Sequence, residues 1–207
     1  MVLNDTKYYL NKMVKILESN HLIFSNINIK LYSKSKNKNA CAKIKGNIFK
    51  TVTISYKESL SLNDEFLLFC IGHELGHLVY TCNNIKDHDG NLYYPNIKNL
   101  DKLERNYIKY KIWIEEIFAD LISCKLLYKI SNKEILEIIL DKIKEEFKSN
   151  TLYFYHPPSL YRYNIIKEYC NTNAIRYMKL IPNNILDKYY FYTLDMILKD
   201  ERSKEKL

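Results

Sequence analysis

Between Asp5 and Glu18 the apolar residues Leu10, Met13, Val14 and Leu17 fall three and four positions apart, the spacing that lines one face of an α-helix. The period changes at INIKLYS, where Ile27, Ile29 and Leu31 alternate with Asn28, Lys30 and Tyr32. A period of two predicts a half-buried strand. CAKIKGNIFKTVTISY keeps that period and reads as two strands meeting at a Gly46-Asn47 turn. In the second of them Val52, Ile54 and Tyr56 share one face, and Thr51, Thr53 and Ser55 the other.

Helical spacing returns in SLNDEFLLFCIGHELGHLVYTC, capped near Asn63 or Asp64 with Glu65 in the first turn. NNIKDHDGNLYYPN carries the glycine, proline and polar cluster of a loop. A long helix is predicted from about Leu100 to Ile130. Another follows over NKEILEIILDKIKEEFKS, with Ile135, Ile138, Ile139 and Ile143 on one face. Two prolines break TLYFYHPPSLYRYNIIKEYC, and helix is expected after Pro158. A final helix spans roughly Asn184 to Lys199, ahead of a solvated tail. The expected fold class is α+β and mostly helical. A small antiparallel or mixed sheet of about three strands packs on the helix around Gly72, with further helices C-terminal to it. Residues 1–207 are expected to form one domain, with a core over 25–165 and a C-terminal helical extension over 166–207.

Composition adds a few exclusions. The 207 residues are 47% hydrophobic and 27% charged, ordinary for a globular protein, with only four glycines and four prolines. The net charge of +8 comes from lysines scattered among Asp and Glu rather than gathered in a stripe, so nucleic acid is not the expected partner. The five cysteines, Cys41, Cys70, Cys82, Cys124 and Cys170, form no CxxC pair and are odd in number. Reduced thiols in a cytoplasmic protein are expected. The amphipathic MVLNDTKYYLNKMVKIL lacks the apolar core of a signal peptide, and no window nears 18 uninterrupted apolar residues. No membrane span is expected.

The unusual chemistry lies in FCIGHELGHLVYT. His73 and His77 are one helical turn apart, so both imidazoles leave the same face and can reach one metal ion. Glu74 is turned about 100° from His73, away from that ion but within reach of a water on it. This is the physical content of H-E-x-x-H: two ligands and a general base. Zinc lowers the pKa of a bound water to about 7, and the glutamate takes the proton as water attacks a carbonyl. The plainer reading, two incidental histidines on a core helix, leaves Gly76 unexplained. A glycine inside a helix costs about 1 kcal/mol relative to alanine, which implies that something packs close to the backbone there.

A catalytic zinc site takes three protein ligands. His88 lies in the polar loop KDHDG. The spacing H-E-x-x-H-x-x-G-x-x-H fails, because Tyr80 and Asn83 occupy its last two positions. The better candidate is Glu116 in WIEEIFADLISCKLL, on a helix whose neighbours Ile112, Phe118, Ala119 and Leu121 are apolar. A carboxylate there is costly unless paired or metal-bound. Asp120, one turn on, suits a hydrogen bond to the non-coordinating nitrogen of a ligand histidine. Glu115, four residues after Lys111, reads as a solvent-facing residue.

HELGH followed by Glu116 to Asp120, E-x-x-A-D, resembles the gluzincin metallopeptidases, especially the M48-type enzymes and the small minigluzincins. The resemblance implies a zincin-like fold, one zinc ion on His73, His77 and Glu116, Glu74 as general base and Asp120 behind a ligand. It rests on three short motifs between about Ile27 and Arg162. The third is HPPSLYR, since those proteins carry His-Pro followed by Arg, here His156 and Arg162. The chain is similar almost as closely to the ImmA/IrrE regulatory peptidases, which cleave repressors and have Asn where Asp120 stands. The expected function is therefore a soluble zinc endopeptidase acting on a peptide or protein substrate. A repressor-cleaving protease and a non-catalytic zinc-fold binding protein are the alternatives. Pro157 restricts His156 to extended backbone, which suits it to hold an imidazole over the cleft as a donor to the oxyanion. Arg162, about one turn into the next helix, is placed to orient a carboxylate. Zincins hold an extended peptide on an edge strand, and Thr51, Thr53 and Ser55 lie on the candidate edge.

Overall fold

The computed structural model describes residues 6–23, 28–35, 40–45, 51–57, 65–84, 102–146 and 156–171. In chain order these carry α1 (Thr6–Ser19), β1 (Asn28–Ser35), β2 (Ala40–Lys45), β3 (Thr51–Lys57), α2 (Glu65–Asn84), α3 (Lys102–Glu146) and α4 (Ser159–Asn171). The fold class is α+β and mostly helical. Several expectations lie outside the described residues: the Gly46-Asn47 turn, the cap at Asn63 or Asp64, the loop with His88, and the helix over Asn184 to Lys199.

Helix α1 buries Leu10, Met13 and Leu17, with Val14 partly buried beside them. In β1, Ile29 and Leu31 face the core while Asn28, Lys30 and Tyr32 are exposed, as their alternation requires. The described sheet has the order β1-β3-β2. β1 runs parallel to β3, from Asn28 opposite Thr51 to Ser33 opposite Tyr56, with an irregularity before Ser35. β2 runs antiparallel to β3, from Ala40 opposite Tyr56 to Lys45 opposite Thr51.

This order corrects the role expected for Thr51, Thr53 and Ser55. β3 is the central strand, and its peptide groups on both sides are engaged by β1 and β2. A peptide cannot add to it. The alternation of Thr51–Tyr56 suits an interior strand as well as an edge, because the period reports faces and not edges. Ile54 is wholly buried, while Thr53 and Ser55 are half-buried.

Helix α3 corrects a second expectation. The two predicted helices are one, running 45 residues from Lys102 to Glu146. Nothing between Ile130 and Glu134 breaks it: Ser131 and Asn132 are weak helix formers, costing less than about 0.7 kcal/mol each, and no glycine or proline is present. Its last turns bury Leu136, Ile139 and Ile143, spaced three and four apart, and leave Ile138 exposed on another face.

Helix α2 is apolar around nearly its whole girth, with Phe66 to Ile71 all buried. Such a helix belongs inside. It packs along α3, and α1, β2 and β3 lie against it. α4 packs on α3, and its Ile165, Ile166 and Tyr169 join the same core. Cys70, Cys124 and Cys170 are buried and not in disulfides.

Candidate metal centre

Two glycines set how near α2 and α3 come. A Cβ on Gly72 would stand 2.5 Å from Ser123 Oγ, and one on Gly76 would stand 2.5 Å from the Cα of Ala119 and 2.8 Å from its carbonyl oxygen. The close neighbour expected at Gly76 is thus the backbone of α3. Gly72 faces Ser123 and Gly76 faces Ala119, so the two helices run antiparallel. Ser123 Oγ donates to the Phe69 carbonyl oxygen at 2.7 Å, which ties them further. Each glycine precedes a histidine, and Ala119 and Ser123 share a stripe of α3 with Glu115, Glu116 and Asp120. The crossing therefore sets those histidines against those acids.

The polar atoms converge closely. Ligand atoms of His73, His77 and Glu116 all lie within 4.8 Å of one another. The two Nε2 atoms are 3.0 Å apart. Glu116 Oε1 is 3.4 Å from Nε2 of His77, and Oε2 is 3.6 Å from Nε2 of His73. Nδ1 of His73 donates to Asp120 Oδ1 at 2.8 Å, and Nδ1 of His77 donates to Glu115 Oε1 at 3.0 Å. An ionised carboxylate only accepts, so both bonds put the proton on Nδ1. A ring that carries no second proton presents a lone pair at Nε2. Two lone pairs 3.0 Å apart beside a carboxylate repel unless positive charge lies among them.

Glu116 Oε2 carries a related signal. It is buried without a hydrogen-bond partner, and its near neighbours are His156 Nδ1 at 3.0 Å and Arg162 Nη1 at 3.6 Å. An unsatisfied buried carboxylate oxygen is costly and calls for an explanation. A cation among the three side chains would satisfy it. Two nitrogens and one oxygen are also the donor types of a zinc site with an open position. His73, His77 and Glu116 can hold a metal ion.

The electrostatics agree. Burial pulls the His77 imidazolium pKa down, but the Glu115 and Glu116 carboxylates outweigh it and push it up to about 10. Burial raises the Glu116 pKa, yet His156, His77, His73 and Arg162 together hold it well below the carboxylate range. Asp120 is 1% exposed. Burial opposes its charge as well, but Arg162 and His73 keep its pKa below its ordinary value. Arg162 clasps it with two bonds, Nε to Oδ2 at 2.8 Å and Nη2 to Oδ1 at 2.7 Å. Its Nη1 stands 3.6 Å from Glu116 Oε2.

Of the expected site residues, the structure brings together His73, His77, Glu116, Asp120, Arg162 and His156. Glu74 is buried on α2 beside them. His156 is 55% exposed and approaches Glu116, but it is not among the converging ligand atoms. Thr51, Thr53 and Ser55 lie on the sheet. Glu115 is the residue that sequence reasoning misread: it turns to His77 instead of solvent. The signal was available in Ala119 and Ser123. These small residues four apart mark the side of α3 that meets the glycines of α2, and Glu115 lies four residues before Ala119 on that side. No family model matches the chain, and no curated protein or solved structure compared with it does either.

Proposed function

We propose that the protein is a zinc-dependent endopeptidase of the gluzincin kind, similar in its motifs to the M48-type enzymes and the minigluzincins, and that it works in the cytoplasm. One observation carries the reading. Two histidines, each braced by a carboxylate, and an unsatisfied buried glutamate converge next to a further buried glutamate that is not a ligand. A purely structural site has no use for that last residue. No described helix is long and apolar enough to cross a membrane, which accords with a substrate met outside the bilayer.

The chemistry a zinc ion would supply on His73, His77 and Glu116 is activation of a water and polarisation of the scissile carbonyl. Glu74 takes the proton from the attacking water and passes it to the departing amine. Asp120 holds His73 in the Nδ1–H tautomer, and Arg162 fixes Asp120 in turn. His156, exposed at the edge of the constellation on its Pro157-Pro158 corner, donates to the carbonyl oxygen as negative charge builds there.

The test is metal analysis of the purified protein together with cleavage profiling on a proteome-derived peptide library. About one zinc per chain is expected, with cleavage that a chelator removes and Glu74→Gln abolishes. A zinc-loaded wild-type protein that cleaves nothing across such a library would refute the peptidase and favour a zinc-fold binding protein.

A further inference from the structure

The structure assigns Glu115 as the positioning residue for the second metal-binding histidine, the counterpart for His77 of what Asp120 is for His73. This rests on the metal reading above and extends it to a residue outside the motif of the resemblance.

Three observations carry it. The first is geometry: Glu115 Oε1 lies 3.0 Å from Nδ1 of His77, the nitrogen facing away from the three converging ligands. A carboxylate there fixes the tautomer, so that Nε2 keeps its lone pair for the metal, and it holds the ring plane. The second is the order of the carboxylates on α3. Glu115 and Glu116 are adjacent on a helix, about 100° apart, yet both reach His77, Glu115 at Nδ1 and Glu116 at Nε2. One ring is gripped on both nitrogens by consecutive residues, so the direction of the His77 lone pair is tied to the rotation of α3. The third is charge. Asp120 is clasped by Arg162 through two bonds, which offsets its charge. The described contact of Glu115 is His77 alone. The two histidines are therefore braced unequally. His77 has a net anionic partner that strengthens it as a donor, and the side chain of Glu115 is 19% exposed, enough to be replaced without opening the core.

The test compares Glu115→Gln, Glu115→Met and Glu115→Ala with wild type and His77→Ala, reading zinc dissociation constants by chelator competition. Circular dichroism confirms that each variant is folded. Removing such a partner typically costs 10–100-fold in metal affinity, and that loss is expected for both Ala and Met. Gln keeps an acceptor for Nδ1–H and should recover most of it. The gap remaining between Gln and wild type measures the charge. Met fills the same volume without an acceptor, so recovery by Met as complete as by Gln would mean that Glu115 acts by packing, and the assignment falls. Wild-type affinity in Glu115→Ala, with zinc lost in His77→Ala, overturns the assignment while leaving the metal reading intact. Absence of zinc binding by the wild-type protein would overturn both.

Discussion

Replacing Gly76 with Ala tests whether the α2–α3 crossing sets the site. The new Cβ would lie 2.5 Å from Ala119 Cα, 2.8 Å from Ala119 O and 3.1 Å from Ala119 C. All three are backbone atoms of a long helix, so no side chain can turn aside. Comfortable carbon contacts begin near 3.5 Å, and the helices must part by about 1 Å. Overpacking of this kind costs about 1–3 kcal/mol, against the roughly 1 kcal/mol that alanine contributes over glycine within a helix. A net loss of about 1–2 kcal/mol of stability is expected. Metal binding should suffer more, because metal–ligand distances tolerate only about ±0.2 Å. His73 and His77 come from one helix and Glu116 from the other, so a separation of 1 Å cannot be absorbed. Each 1.4 kcal/mol of strain needed to close the gap is about tenfold in affinity, so zinc should bind at least about tenfold more weakly. Denaturant unfolding and chelator competition measure the two effects. Gly72→Ala is the internal comparison. Its nearest clash, at 2.5 Å, is with Ser123 Oγ, a side-chain atom that can rotate, at the loss of its bond to the Phe69 carbonyl. It should be the milder variant, and Ser123→Ala should partly relieve it. A Gly76→Ala protein with wild-type stability and wild-type zinc affinity would refute the reasoning.

Further expectations are open to measurement. Glu74→Gln should keep stoichiometric zinc while losing turnover, so loss of its metal would show that the base and ligand roles are wrongly divided. Glu116→Ala should lose stoichiometric zinc, because no other described carboxylate faces both Nε2 atoms; retained zinc would remove Glu116 as the third ligand. His156→Ala should lower kcat by roughly 10²–10³ with zinc content and KM little changed, and full activity or released zinc would each rule out the donor role. Asp120→Asn breaks a buried pair with Arg162, at about 3–5 kcal/mol near pH 7. The Asp120 pKa is depressed, so its contribution is present above its ordinary value of 3.8 and is lost as pH falls through the lower folded value. The gap between wild type and Asp120→Asn in urea unfolding should therefore narrow at low pH, and a constant gap would contradict the account.

Much of the site was legible because it is local. His73 and His77 share a face through helical pitch alone, and the same pitch turns Glu74 away from them. Gly76 announced a close neighbour, since a buried helix does not otherwise carry a glycine there. Glu116 stood out because a carboxylate among Ile112, Phe118 and Leu121 needs a partner. Those inferences require only one turn of one helix at a time. The alternation in Ile29, Leu31 and Ile54 likewise revealed which faces are buried, because a strand's period is intrinsic to its backbone.

What remained depended on how elements meet. Alternation does not say which strand lies in the middle, because an interior strand and an edge strand bury the same face, so only the pairing with both β1 and β2 placed Thr51–Tyr56 at the centre. Continuity of α3 through Ser131 and Asn132 was settled by apolar residues on either side packing into one core, a sum that outweighs two weak helix formers. Arg162 finds Asp120 across 42 residues of chain, and Glu115 finds His77 across 38. Helical periodicity ranks residues by face but does not say where on that face the partner lies. For Glu115, that was decided by the close approach of Gly76 to Ala119, which brings the preceding turn of α3 within reach of His77 and turns an apparently solvated glutamate toward a histidine of the candidate metal centre.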